Sequence, residues 1–263
     1  MRWVLPWEIF DVNFRRGEKK SNLRRSFCAF GLVWVLIGGT LARAAHFNYQ
    51  LTVNSEGYDL SIKMGFRKGV TLAQVRGNLR DPFLLTQFNP SIKSVRYSPE
   101  TTKDYQSEMV TQSWGLSSLL VSKCHETDLM SEAWNRNCEL STNLGQGGKF
   151  MEWKKDATFC TTQENSQEVT CRIDISGKAK PVSIAGLTLI SERTFTLKAK
   201  EPAVKHFLQL WLYGNQGSYS SSLTKNTYEE IGFREVVENG FQKALRNNQS
   251  AVAEVTGTFE LPD

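Results

Sequence analysis

From Phe47 to Phe66 the chain alternates apolar and polar residues almost without a break. Phe47, Tyr49, Leu51 and Val53 are spaced by Asn48, Gln50 and Thr52. After Ser55-Glu56-Gly57 the pattern resumes with Tyr58, Leu60, Ile62, Met64 and Phe66. Successive side chains of a strand point to opposite faces, so a period of two marks a strand with one buried face. Two such strands joined by a short glycine-containing loop predict an antiparallel hairpin. Its apolar face needs a cover, so the remaining chain must widen the sheet and supply something to lie against it.

More strands follow. Tyr105–Trp114, Leu116–Cys124, Ala133–Leu140 and Phe150–Phe159 are separated by turn residues, with Gly145-Gln146-Gly147-Gly148-Lys149 read as a hairpin loop. Val169, Cys171, Ile173 and Ile175 alternate again, as do Phe195, Leu197 and Ala199. Pro202–Tyr213 fits a helix through Val204, Phe207, Leu208, Trp211 and Leu212. It also fits a strand through Val204, His206, Leu208, Leu210 and Leu212, and the strand is the reading adopted. Thr227 and Glu230 form a capping box opening the longest expected helix, to about Asn247, with Phe233, Val236, Val237, Gly240, Phe241 and Ala244 on its apolar face. Ser250–Asp263 reads as a tail, with Val252–Phe259 as a candidate short strand within it.

Between the first hairpin and the later strands lies Gly69–Ser98. Thr71 with Gln74 is a capping box, and Leu72, Val75 and Leu79 share a helical face. Asp81-Pro82 stops that helix, because a residue before proline avoids the α region. Phe83, Leu84, Leu85 and Phe88 form a second short apolar turn, Asn89-Pro90 ends it, and Ile92, Val95 and Tyr97 begin a strand. Hairpin, two short helices, "NP" and a new strand resemble the START-like (SRPBCC) helix-grip proteins. The resemblance implies an α+β fold, a curved antiparallel sheet wrapped around a long C-terminal helix with two short helices after the first strands. It also implies a cavity between sheet and helix, with Trp114, Phe195, Leu197, His206, Phe233, Val237 and Phe241 as the expected lining. The ligand it implies is a hydrophobic small molecule or lipid.

Charge is distributed unevenly. Residues 1–44 hold eight Lys/Arg against Glu8, Asp11 and Glu18, whereas acidic and basic residues balance over the remainder. A neutral domain lacks the clustered positive surface that nucleic acid requires. Arg24-Arg25, the apolar run Ser26–Leu41 and Ala42-Arg43-Ala44 follow the order of an export signal, with cleavage expected after Ala44. Leu23-Arg24-Arg25-Ser26-Phe27 resembles a twin-arginine motif, so the twin-arginine and general secretory routes stay open. Residues 45–263 are then a single periplasmic domain with no membrane span left after cleavage.

Cys28 leaves with the leader, and Cys124, Cys138, Cys160 and Cys171 remain. An even count in an exported chain predicts two disulfides. Of the three connectivities, the neighbouring pairs Cys124–Cys138 and Cys160–Cys171 would staple adjacent strands. No C-x-x-C spacing supports a metal site beside His125, and no motif calls for a cofactor. His46, His125 and His206 are isolated, and no nucleophile signature occurs. Glu108, Glu126, Asp128, Glu132, Glu152 and Asp174 are scattered along polar strand faces and read as solvated. The tryptophans Trp114, Trp134, Trp153 and Trp211 read as core. A periplasmic binding or carrier protein for a lipid-like ligand is the leading expectation, without assigned catalytic residues. The alternatives are an envelope interaction or structural protein, and a cyclase-like enzyme on the same scaffold.

Overall fold

The computed structural model describes residues 45–113, 116–129, 132–142, 151–163, 167–184, 187–216, 232, 234–247 and 250–261. The expected export signal, Trp114, Phe233, the Gly145–Lys149 loop and the Thr227/Glu230 capping box lie outside them. β1 (His46–Asn54) and β2 (Gly57–Gly65) form the expected hairpin, and the apolar set from Phe47 to Met64 is buried. α1 (Leu72–Arg80) opens at the Thr71–Gln74 capping box. Asp81 then stays extended before Pro82 and accepts a hydrogen bond from the Phe83 amide to start α2 (Pro82–Phe88).

β3 (Ile92–Pro99), β4 (Asp104–Ser113), β5 (Leu116–Leu129), β6 (Ala133–Thr142), β7 (Met151–Thr162) and β8 (Val169–Ala179) follow as an antiparallel meander. β9 (Val182–Ile184) and β10 (Leu187–Ile190) make a separate two-stranded ribbon. Next come α3 (Glu192–Gln216), a π-helical turn at Arg234–Glu238 running into α4 (Asn239–Arg246), and β11 (Ala253–Glu260). The nine-stranded sheet runs β11-β1-β2-β8-β7-β6-β5-β4-β3, antiparallel throughout. It curves around the long helix, which packs on β1, β2 and β8. This is an α+β helix-grip arrangement.

Two expectations are corrected. Phe195–Ala199 and Pro202–Tyr213 are not strands but parts of one helix, α3. Pro202 lies inside it and removes the hydrogen bond to the Lys198 carbonyl, a loss that tertiary packing offsets. The long helix is therefore α3, and the described part of the segment expected to form it is the π turn with the eight residues of α4. Gly240 on α4 allows close approach to the sheet, because a Cβ there would stand 3.2 Å from Val255 Cγ1. Gly257 does the same from the strand side, where a Cβ would overlap Tyr49 and Val236.

Candidate functional site

Strand register divides the inner face of the sheet into two chemically different halves. One row of directly opposed residues runs Glu126, Arg136, Thr158, Ile173, Ile62 and Tyr49 across β5, β6, β7, β8, β2 and β1. The adjacent row runs Tyr105, Cys124, Cys138, Asp156, Ile175 and Leu60 from β4 to β2. Both are apolar on β8 and β2; the first turns polar from Thr158 of β7 through Arg136 to Glu126, and the second passes through Asp156 of β7 to the Cys138–Cys124 disulfide and Tyr105. α3, the π turn and α4 cover the apolar half with Leu197, Val204, Leu208, Trp211, Leu212, Val237 and Phe241, all fully buried. The polar half faces α1.

α1 places Arg76 and Arg80 four residues apart, on one helical face. Both reach Glu126, which is only 2 % exposed. Its Oε2 accepts hydrogen bonds from Arg76 Nη2, from Arg80 Nη1 at 3.4 Å and from Trp134 Nε1 at 3.2 Å. Arg76 also donates to Asp128 Oδ1 at 2.9 Å. The guanidiniums are seated on rings, Arg76 5.7 Å from the centre of Trp134 and Arg80 4.6 Å from that of Tyr105. Glu126 Oε1 is buried and meets no donor among the described residues.

Deeper along the sheet, Arg136 donates to Thr158 Oγ1 at 3.0 Å and approaches Asp156 Oδ1 at 3.7 Å. Burial works against its charge, but Asp156 and a hydrogen bond to Tyr105 more than reverse that and push its pKa up. Lys200 descends from α3 onto two rings, its Nζ 4.1 Å from the centre of Tyr58 and 4.2 Å from that of Trp153. Burial pushes the Lys200 ammonium down to about 7, with the Asp156 carboxylate pulling the other way. His206 is also buried, beside Phe88 and Phe207. Both its ring nitrogens lack a partner among the described residues, and desolvation lowers its pKa to about 4.

Between α1 and the sheet runs a groove of about 1010 Å³. Leu72, Ala73, Gln74, Arg76, Gly77, Asn78, Arg80 and Asp81 form its helical wall. Tyr97 of β3, Asp128 of β5 and Ala133 and Trp134 of β6 form the other. A smaller hollow of about 300 Å³ lies on the outer face around Asp59, Lys155, Arg172 and Asp174. Asp174 there is taken by Ser61, Arg172 and Lys155.

Of the residues expected to line a cavity, Leu197, Val237 and Phe241 are fully buried core, His206 is buried beside α2, and Phe195 is half-buried. None of these five lines either hollow. Sequence reasoning missed Glu126, Arg76, Arg80, Tyr97 and Trp134 as a group. One signal for them exists: if Cys124 faces inward to meet Cys138, then Glu126 and Asp128 face inward too. The structure joins Cys124 to Cys138 and Cys160 to Cys171 as opposed pairs on β5/β6 and β7/β8. His125, on the other face of β5, meets Asp104 at 2.6 Å and is exposed. Among the described residues no three His, Cys, Asp or Glu cluster to hold a metal, and no helix is long and apolar enough to cross a membrane.

No family model and no curated protein matches the chain. Solved structures do. The fold is similar to a STAR-related lipid transfer protein from Xanthomonas axonopodis, at 14 % identity over 64 % of this chain and 99 % of that one, with a TM-score of 0.42. It is similar to an aromatase/cyclase from a Streptomyces species, at 8 % identity over 65 % and 94 % of the two chains, TM-score 0.40. A START superfamily protein from Mycobacterium smegmatis shares 11 % identity over 58 % and 92 %, TM-score 0.36.

Proposed function

We propose that this chain binds and carries an amphipathic, lipid-like molecule outside the cytoplasm, in the groove between α1 and the inner face of β3, β5 and β6. The observation that carries the reading is the groove itself. Its volume of about 1010 Å³ suits one long-chain molecule, and its lining combines Leu72, Ala73, Tyr97 and Trp134 with a few fixed charged groups. Burial of an acyl chain contributes about 25 cal/mol per Å² of apolar surface, the main driving term. The leader and the two cysteine pairs support export to an oxidising compartment. Beneath α3 the described apolar residues pack against one another, so the proposed ligand site is the α1 groove.

The test is to express the full chain with its leader, purify the exported protein without detergent, and analyse its organic extract by mass spectrometry. A stoichiometric long-chain molecule, depleted in a Leu72→Glu variant of unchanged circular dichroism, supports the reading. An empty extract combined with no uptake of a fluorescent apolar probe overturns it. The result would then favour an envelope interaction protein, for which Phe83 on α2, 58 % exposed, is the first surface to examine.

A further inference from the structure

The two arginines of the groove wall are not equally engaged. Arg76 gives Nη2 to Glu126 Oε2 and Nη1 to Asp128 Oδ1 at 2.9 Å, so its fork is filled by two carboxylates. Arg80 makes a single hydrogen bond among the described residues, from Nη1 to the same Glu126 oxygen. At 3.4 Å that bond is longer than the ordinary N–H···O range of about 2.7–3.2 Å. It also goes to an oxygen that Arg76 and Trp134 already supply. A guanidinium presents its donors as a planar fork that matches a carboxylate or a phosphate. Arg80 lines the groove with its side chain 36 % exposed, so its remaining donors are within reach of a molecule lying there.

Tyr105 sets a second donor beside the first. The Arg80 guanidinium lies 4.6 Å from the centre of that ring, and Tyr97 meets the same ring edge-on with 5.6 Å between centres. Tyr97 also lines the groove, and its hydroxyl has no hydrogen-bond partner among the described residues. Burial pushes this phenol up to about 12, so at neutral pH it keeps its proton and donates. The carboxylates of the groove are engaged: Asp128 accepts from Arg76, and Asp81 from the Phe83 amide at the start of α2. The unspent polar capacity of the wall is therefore donor capacity, the fork of Arg80 with the hydroxyl of Tyr97. Resting on the proposed groove binding, we infer that the ligand is an acidic lipid, whose oxyanionic head, a carboxylate or a phosphate ester, is held by Arg80 and Tyr97. Its apolar chain runs back along α1 toward Leu72, eight residues and about 12 Å from Arg80, a span that an acyl chain covers. Arg76 acts by neutralising Glu126 and Asp128.

The experiment uses the exported protein with N-phenyl-1-naphthylamine as reporter, displaced by dodecanoate, dodecyl phosphate, dodecan-1-ol or dodecylamine. The four share one chain and differ only in the head. The better of the two acids should compete about tenfold better than the alcohol, the size of one charge-assisted hydrogen bond, and the amine should compete least. The ratio of the two acids separates carboxylate from phosphate. Inorganic phosphate should displace nothing; displacement by it would assign a free anion to Arg80 and overturn the lipid head. Arg80→Gln should bring the acids within about threefold of the alcohol. Tyr97→Phe should cut the acid advantage about threefold and leave the alcohol unchanged, which a packing role alone would not do. If Arg80→Gln does not fold, Tyr97→Phe and the wild-type series decide. The alcohol or the amine competing as well as both acids overturns the inference and leaves the groove reading intact. An undiminished acid preference in folded Arg80→Gln also overturns it. Uptake of neither reporter nor any dodecyl compound removes the groove reading, and the head-group assignment with it.

Discussion

Lys200 gives the sharpest quantitative consequence of this interior. It projects from α3 into the boundary between the apolar and polar halves of the sheet and is only 3 % exposed. Its ammonium rests on Tyr58 and Trp153, and burial lowers its pKa from 10.5 to about 7. In the unfolded chain the same amine stays charged to about pH 10.4. Between these values the unfolded state binds more protons than the folded one, so stability rises with pH. At about 1.4 kcal/mol for each pH unit separating the two, the cost of holding the charge inside is on the order of 5 kcal/mol at low pH. Contact with the two rings returns about 1–2 kcal/mol of this. The net expectation is a gain of about 2 kcal/mol in unfolding free energy between pH 7.5 and 9.5. Tyr49, Tyr58 and Tyr97 are pushed up by burial, so they oppose this only above about pH 10, where the unfolded chain's tyrosines ionise. Lys200→Met keeps the length of the side chain and removes the charge. It should flatten the rise and stabilise the protein by about 2–3 kcal/mol at pH 7.5. Urea denaturation at constant ionic strength, followed by tryptophan fluorescence at pH 7.5, 8.5 and 9.5, measures both. A wild-type stability that is flat or falls over that range, or a slope unchanged in Lys200→Met, refutes the reasoning.

Two further outcomes are expected. His206 has a folded pKa of about 4 against 6.5 in the unfolded chain, so stability is lost as pH falls through that window, by about 3 kcal/mol at its lower end; His206→Leu should remove most of this acid loss in urea titrations at pH 7 and pH 4.5. The Cys160–Cys171 bond closes a short loop, so Cys160→Ser with Cys171→Ser should lower the unfolding free energy by about 3 kcal/mol, checked by the same denaturation under non-reducing conditions.

The parts of the fold legible in the sequence are those whose buried and exposed residues separate cleanly. β1 and β2 bury every second side chain, and α1 and α2 carry their own punctuation in Thr71, Gln74, Asp81 and Pro82. α3 was not legible because it has no single face. Val204, His206, Leu208, Leu210 and Leu212 mimic a strand, and all five are buried alongside Thr196, Leu197, Lys200 and Trp211. A helix enclosed by sheet and other helices loses the period of a surface helix. Pro202 suits the first turn of a helix, so the pattern gives no sign that the helix begins ten residues earlier at Glu192. The groove was illegible for another reason: Arg76 meets Glu126 across 50 residues of chain, and no spacing rule spans that distance. Glu126 looked like any polar strand residue until its register with Arg136 and its neighbour Cys124 fixed which way it faces.

Hydrogen–deuterium exchange with and without bound dodecan-1-ol tests most directly whether the groove beneath α1 holds the ligand. Slowed exchange in α1, Leu72–Arg80, and in β3 and β6 beside Tyr97 and Trp134, with α4 unchanged, is the predicted result. Protection confined to α3 and α4 would place the ligand beneath the long helix and contradict the account.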